Sequence, residues 1–144
     1  MKIFFDMDGT IANLYGVENW LEYIIARNEK PYLEAEVMLN MNALARRLNT
    51  LKNKGYEIGI ISWLAKNSTD DYDEKVTNAK KTWLKKHLAS VKFDTIEIVK
   101  YGYAKETFIT GENDILFDDE KPNRDAWTGK AYTEKEIMKV LKKL

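Results

Sequence analysis

The chain has 144 residues, of which 44% are hydrophobic and 12% aromatic, as in a single globular domain and unlike a disordered segment. Its 23 Lys and Arg residues balance 23 Asp and Glu residues, so the basic excess of a general nucleic-acid binder is missing. No cysteine is present, which excludes disulfides, thiolate metal ligands and a cysteine nucleophile.

The same features lead to an expectation about location. Residues 1–5 run directly into the first motif, so the sequence predicts no signal peptide. No apolar run approaches the ~18 residues that a membrane span requires. A chain without cysteine also suits a reducing compartment. We therefore expect a cytoplasmic protein that binds neither membranes nor nucleic acid.

Short apolar segments alternate with amphipathic segments along the chain. The first half of the chain predicts a strand at 3–5, a helix at about 18–28 ended by Pro31, and a helix from about Leu33 closed by Gly55. A strand at 56–61 ending at Ser62 and a helix at 70–87 follow. The rest predicts strands at 95–99, 115–117 and 130–132 and a last helix that begins with a Thr133-x-x-Glu136 capping box. The helix from Leu33 is predicted from apolar residues four and three apart: Val37, Met41, Leu44, Leu48 and Leu51.

The helix at 70–87 has an apolar inner face and a charge order that matches the helix dipole, with acids first and lysines last. Its inner face comprises Tyr72, Val76, Ala79 and Trp83. The lysines near its end are interpreted as solvated: Lys80, Lys81, Lys85 and Lys86. Three tryptophans are interpreted as core residues: Trp20, Trp83 and Trp127.

Alternating strands and helices predict an α/β, Rossmann-like three-layer sandwich with a central parallel sheet. Sites in such sheets form beyond the carboxyl ends of the strands. The polar residues that follow predicted strands are Asp6 and Asp8 after the first, Ser62 after the second, and Asp118 and Asp119 after the fourth. We therefore expect these side chains to converge at one edge of the sheet.

Two simpler interpretations of Asp6-x-Asp8-Gly9 were considered. A hairpin turn is disfavoured because no strand follows at hairpin distance. A calcium loop needs Gly at its sixth position and Glu at its twelfth, where this chain has Ile11 and Val17. Clustered carboxylates repel one another unless a cation joins them, and an all-oxygen ligand set favours Mg²⁺.

These motifs resemble those of the haloacid dehalogenase superfamily of aspartate-nucleophile phosphatases. Asp6-Met7-Asp8-Gly9-Thr10 is similar to the first motif, and Ser62, Lys105 and Asp118-Asp119 are similar to the other three. Asp-Met-Asp-Gly-Thr-Ile-Ala, Leu-Phe-Asp-Asp and residues 123–127 most resemble the pyrimidine 5'(3')-deoxyribonucleotidase branch. The resemblance covers a single domain, residues 1–144, apart from an expected small helical cap insertion at about 16–54.

The resemblance implies a role for each motif residue. Asp6 would attack phosphorus and form an aspartyl-phosphate, while Asp8 would act as general acid and then general base. Ser62 and Lys105 would bind the phosphoryl group, although Lys100 is a rival for the lysine. Gly9 would provide a sharp turn that leaves backbone N–H groups facing the phosphate. Mg²⁺ would be held by four aspartates: Asp6, Asp8 through its backbone carbonyl, Asp118 and Asp119.

The substrate expected from this branch is a deoxynucleoside monophosphate whose base stacks on aromatic side chains. Leu14 stands where the branch carries an aromatic, so Tyr15 and Trp63 are the expected substitutes, with Lys66 as a further substrate contact. A phosphatase for another small metabolite such as a sugar phosphate is the rival enzyme. A non-catalytic nucleotide- or phosphate-binding module is the rival from another class, disfavoured because binding alone needs no general acid beside a nucleophile.

Overall fold

Seven strands and six α-helices form along the chain in the computed structural model, which describes residues 1–144. The strands are β1 (Lys2–Phe5), β2 (Ala12–Asn13), β3 (Glu36–Val37), β4 (Glu57–Trp63), β5 (Thr95–Val99), β6 (Ile115–Phe117) and β7 (Lys130–Tyr132). The α-helices are α1 (Trp20–Ile25), α2 (Lys30–Glu34), α3 (Met41–Asn53), α4 (Asp70–His87), α5 (Lys121–Ala126) and α6 (Ile137–Leu141). Short 3₁₀ helices occupy Leu14–Gly16, Lys105–Phe108 and Glu134–Glu136.

Five of the strands form one parallel sheet in the order β5-β4-β1-β6-β7. The register places Phe5, the last residue of the central strand β1, opposite Ile60 on one side and Phe117 on the other. Asp6 and Asp118 are the next residues after Phe5 and Phe117, so both emerge at the same edge of the sheet. The predicted convergence at the carboxyl edge is confirmed for these two strands.

Helices cover both faces of the sheet, because alternate strand residues point to opposite faces. Ile3 and Phe5 pack with α3, the second half of α4 and α6 in the main apolar cluster. Phe4 points the other way and packs with Leu116 and Trp127 in a smaller cluster beside α5. The predicted Rossmann-like three-layer architecture is therefore confirmed.

Polar side chains cap the first turns of α3 and α4. The Asn40 side chain accepts a hydrogen bond from the Ala43 N–H at the start of α3, and the Thr69 hydroxyl accepts one from the Tyr72 N–H at the start of α4. The predicted capping box is confirmed, since the Thr133 N–H donates to Glu136 Oε2 at 2.8 Å. It opens the short 3₁₀ helix that leads into α6.

The structure corrects the prediction of one continuous helix from Leu33. Pro31 begins α2 instead of only ending α1, because a proline in the first helical turn gives up no hydrogen bond. The chain then extends into β3, where Val37 pairs with Ala12, and Asn40 starts α3. Val37 is accordingly exposed, although the spacing placed it on an apolar helix face. The spacing of apolar residues along the sequence does not reveal the extended segment that separates α2 from α3.

The segment expected as an insertion, about 16–54, packs in more than one place. Leu44, Leu48 and Leu51 of α3 are fully buried in the main cluster, so α3 belongs to the sandwich. The segment before it is divided: Ala35 joins the main cluster, whereas Leu14 and Tyr32 pack in a separate cluster against the first half of α4. Within the expected insertion, α1 and α2 therefore contribute to a cluster separate from the main core, through Ile24 and Tyr32. None of the helices is long and apolar enough to cross a membrane.

Candidate active site

Asp6 lies at the centre of the polar cluster at the sheet edge. It follows β1 directly, its N–H donates to the carbonyl of Phe117, and the residue is only 6% exposed. Its Oδ1 accepts a hydrogen bond from Lys105 Nζ at 2.9 Å, and its Oδ2 lies 3.1 Å from the Thr10 hydroxyl. The carboxylate is therefore anchored through both oxygens beneath an accessible cavity.

The chain turns sharply after Asp8, and Gly9 makes this turn possible. Gly9 has φ of +81°, and a Cβ added there would lie 2.4 Å from Asp119 Oδ2. Its N–H donates to the carbonyl of Ala12, so Gly9 itself does not offer the free donor that the motif suggested. Thr10, which received no role from the sequence, is fully buried and lies within 3.2 Å of Asp119 Oδ1 as well as close to Asp6.

Three carboxylates form a cluster that fits a metal ion. One oxygen each from Asp6, Asp118 and Asp119 lies within 4.8 Å of the others. These hard oxygen donors, without His or Cys, are the ligand type that Mg²⁺ prefers. The Asp8 carboxylate is not part of this cluster, because it is turned toward Lys80. Any contribution of Asp8 to a metal would therefore come from its backbone carbonyl.

The electrostatics of the cluster favour a bound cation. Burial raises the pKa of Asp118 to about 6; the charge of Asp6 adds to the rise and Lys105 opposes it. Burial and the Asp6 charge together raise the pKa of Asp119 to about 8. Crowded carboxylates hold protons until a positive charge replaces them. A divalent cation would supply that charge.

Lys105, and not Lys100, is the lysine of the site. Lys105 begins a 3₁₀ helix, is 2% exposed, and donates to Asp118 Oδ2 at 2.7 Å as well as to Asp6. Burial by itself lowers the pKa of Lys105, but the charges of Asp6 and Asp118 outweigh this effect and raise it. Lys100 points away and pairs with Asp70 and Asp73 at the surface.

The interpretation of Lys80 as a solvated lysine is wrong. Its side chain is 1% exposed, and Nζ donates to Asp8 Oδ2 at 2.9 Å and Ser62 Oγ at 2.7 Å. The sequence did contain a signal, because Lys80 lies four residues after Val76 and three before Trp83, on the apolar face of α4. A lysine on such a face needs a buried partner. Lys80 joins the general-acid candidate to the serine at the end of β4.

A cavity of about 460 Å³ opens above these polar groups. Asp6, Asp8, Lys105 and Asp118 line one part of it, and most of the remaining lining is apolar or aromatic. The aromatic residues that line it are Tyr15, Trp20, Tyr32, Trp63 and Tyr101. Such a volume suits a small organic ligand, with its polar end directed toward the carboxylates.

The three predicted substrate contacts all line this cavity. Trp63 ends β4, and its ring centroid lies 5.1 Å from that of Tyr101 and 5.3 Å from Lys105 Nζ. Tyr15 is half exposed and its ring centroid lies 4.9 Å from that of Trp20, while Lys66 is an exposed residue of the lining. Trp20 is therefore a cavity residue and not a core residue, in contrast to the buried Trp83 and Trp127.

The insertion is fastened to the sheet domain on one side of the cavity. The Arg27 guanidinium donates to the carbonyl of Asn67 and lies over the ring of Tyr72, whose hydroxyl donates to the carbonyl of Asn28 at 2.9 Å. Arg27 and Asn67 both adopt positive φ, 58° and 54°, which is uncommon for residues other than glycine. These contacts hold the cavity wall in place.

Comparison with known proteins supports the fold. No protein-family model matches the chain, and no curated protein matches it. The solved D,D-heptose 1,7-bisphosphate phosphatase from Burkholderia thailandensis superposes with a TM-score of 0.54 at 13% identity, over 89% of this chain and 74% of that one. The Pnkp1/Rnl/Hen1 complex gives a TM-score of 0.57 at 17% identity, over 92% of this chain and 44% of the other.

The likeness is one of fold. At such low identities it shows that the chain shares its α/β architecture with these two structures, and it does not distinguish the nucleotidase branch. What the site can do chemically must therefore be argued from its own residues.

Proposed function

We propose that this protein is a Mg²⁺-dependent phosphomonoesterase that acts through an aspartyl-phosphate on Asp6. The observation that carries the proposal is the placement of Asp6 at the base of the cavity, where Lys105 and Thr10 hold both of its oxygens. A buried carboxylate in that position is a preorganised nucleophile. Asp8 lies two residues further on, and its carboxyl group contacts Lys80 and not the carboxylate cluster, so a separate group is available for proton transfer.

The remaining residues serve the phosphoryl group. Lys105 uses two of its three N–H bonds on Asp6 and Asp118 and has a third for a phosphoryl oxygen. Ser62 is fully buried and does not line the cavity, but its oxygen accepts from Lys80, so its own proton is available to a phosphoryl oxygen that reaches the end of β4. A bound Mg²⁺ held by the carboxylate cluster of Asp6, Asp118 and Asp119 would neutralise negative charge on the transferring group.

For the substrate, we propose a deoxynucleoside monophosphate, with the base held by the aromatic lining of the cavity. Trp63 stands directly after Ser62 and lines the cavity together with Tyr101, so it can offer a ring to a planar base. The structural neighbour named as a heptose bisphosphate phosphatase keeps a sugar phosphate as the rival substrate. An aromatic lining favours the nucleotide, because every base has a face that stacks.

A phosphatase panel of nucleotides and sugar phosphates, with and without Mg²⁺, tests both levels of the proposal. We expect turnover that requires Mg²⁺ and is lost in Asp6→Asn, whose circular dichroism spectrum stays that of the wild type. Near wild-type activity of Asp6→Asn would disprove the nucleophile, and full activity in excess chelator would disprove the metal. A protein that binds nucleotides but hydrolyses none of the panel would be the non-catalytic module.

Replacing Trp63 tests the substrate. A stacked base contributes ~1–3 kcal/mol, so Trp63→Ala should lower kcat/KM for dUMP or dTMP by roughly 5- to 150-fold. A small aryl phosphate, which has no base, should be affected much less. Tyr103→Ala is the matched control, because Tyr103 is an exposed aromatic outside the cavity. Unchanged nucleotide turnover in both Trp63→Ala and Tyr15→Ala, or a clear preference for sugar phosphates, would refute the nucleotidase assignment.

A further inference from the structure

Lys80 is a buried cation at the active site that none of the phosphatase motifs accounts for. It comes from the apolar face of α4, and its side chain is 1% exposed. Nζ donates to Asp8 Oδ2 at 2.9 Å, Ser62 Oγ at 2.7 Å and the carbonyl of Trp63 at 2.6 Å. It also lies 5.2 Å from the ring centroid of Tyr32, which closes the site on another side.

The number of hydrogen bonds separates Lys80 from Lys105. A lysine ammonium has three N–H donors, and Lys80 has three protein acceptors for them. Lys105 has two acceptors, Asp6 and Asp118, and so keeps one donor for a ligand. Lys80 also does not line the cavity, whereas Lys105 does. Lys80 is therefore placed to act on the protein groups around it and not on the phosphate.

Each bond made by Lys80 restricts a group with a defined task. The bond to Asp8 holds Oδ2 and turns the carboxylate away from the metal cluster of Asp6, Asp118 and Asp119, which leaves Oδ1 without a protein partner. The bond to Ser62 occupies a lone pair of the hydroxyl, so its proton must point elsewhere. The bond to the Trp63 carbonyl fixes the ammonium group of Lys80, and with it Asp8 and Ser62, at the end of β4.

We propose that Lys80 is a positioning residue that holds the Asp8 carboxyl group and the Ser62 hydroxyl in their working orientations. This inference rests on the proposed phosphatase function. In the first step an Asp6 oxygen bonds to phosphorus, the ester P–O bond breaks, and the proton of Asp8 passes to the leaving oxygen. In the second step water attacks phosphorus, gives a proton to Asp8, and releases the Asp6 carboxylate with inorganic phosphate. The ammonium of Lys80 keeps its protons throughout.

Lys80→Met should slow proton transfer and leave substrate binding unchanged. General acid–base assistance contributes ~10²–10⁴-fold, and a displacement of about 1 Å can cost ~10²-fold. We expect the pre-steady-state burst rate with dUMP to fall about 100-fold, with KM changed less than about twofold. An activated aryl phosphate, which needs less protonation, should lose far less. Lys81→Met is the matched control, because Lys81 is the exposed neighbour of Lys80 on α4.

A double variant separates positioning from other roles. If Lys80 acts mainly through Asp8, then Lys80→Met should cost much less in an Asp8→Asn background than in the wild type, and the remaining loss should match its effect on Ser62. A large rise in KM with equal loss for both substrates would instead make Lys80 a phosphate ligand. An unchanged burst rate per folded molecule with a lower melting temperature would make it structural. Either result overturns the proposal.

The design also distinguishes failure of this inference from failure of the proposed function. If the wild-type protein hydrolyses no phosphomonoester, the proposed function fails, and crystal structures then decide the role of Lys80. Unchanged Asp8 and Ser62 rotamers in Lys80→Met would overturn positioning; displaced rotamers would support it. If Lys80→Met does not fold, Lys80→Arg takes its place. Arginine keeps the charge but cannot reproduce the three-acceptor geometry of the ammonium group, so the same kinetic and structural results are expected of Lys80→Arg.

Discussion

Lys105 offers the sharpest test of the electrostatic design of the site. It is a cation, 2% exposed, that donates to Asp6 at 2.9 Å and to Asp118 at 2.7 Å. Lys105→Met keeps most of the side-chain volume but leaves two buried carboxylates without their partner. Removing one member of a buried ion pair typically costs ~3–5 kcal/mol. The melting temperature of a chain of this length changes by about 2–4 °C per kcal/mol, so it should fall by roughly 6–20 °C at pH 8 without Mg²⁺.

The loss should depend on pH and on metal in a defined direction. The pKa of Asp118 is about 6 with Lys105 present, and removing the lysine raises it further. At pH 5 the carboxyl group can take up a proton, so the effect of Lys105→Met should be smaller there than at pH 8. Saturating Mg²⁺ should also reduce it, because the metal supplies positive charge to the same carboxylates and stabilises the folded state.

Thermal unfolding at pH 5 and pH 8, each with Mg²⁺ and with chelator, measures these differences. Lys121→Met is the control, because Lys121 forms a 2.6 Å pair with Asp125 in which both side chains are mostly exposed. Such a pair contributes at most ~1 kcal/mol. A melting temperature of Lys105→Met within about 2 °C of the control at pH 8, or an equal drop at both pH values, would refute the reasoning.

Three further predictions concern the metal cluster. Gly9→Ala should abolish the Mg²⁺-induced rise in melting temperature, because the φ of Gly9 is +81° and the added Cβ would lie 2.4 Å from Asp119 Oδ2. An unchanged rise would show that Asp119 is not needed for Mg²⁺ binding. Without Mg²⁺, stability should fall as pH rises from about 5 to about 8, since the folded-state pKa values of Asp118, about 6, and Asp119, about 8, exceed the ~3.9 of an unfolded chain. Asp119→Asn should flatten that slope in thermal unfolding, and an unaltered slope would assign it to other groups. Ca²⁺ should inhibit Mg²⁺-dependent turnover in a steady-state assay, because the larger ion accepts more ligands and both oxygens of Asp6; Ca²⁺ that fully replaces Mg²⁺ would contradict this.

Local sequence patterns determined the parts of this protein that depend on near neighbours along the chain. Short apolar segments located β1, β4, β5, β6 and β7. Their carboxyl ends then singled out the candidate site residues Asp6, Asp8, Ser62, Asp118 and Asp119. The Thr133-x-x-Glu136 box was also readable, because a capping box involves residues three apart. The alternation of strands and helices sufficed for the three-layer architecture.

Tertiary structure decided between the candidate lysines, although the sequence favoured Lys105 and placed Lys80 on the apolar face of α4. Lys100 and Lys105 both follow β5, and only the path of the chain after that strand directs Lys105 to Asp6, 99 residues away in sequence. Lys80 was grouped with solvated lysines on α4, yet it reaches Asp8 across 72 residues. Pairing between such distant residues depends on how α4 packs against the sheet and the insertion, because that packing sets which charge is buried beside which. The end of a helix shows its charge order in the sequence, but the partner of a buried charge appears only once the chain is folded.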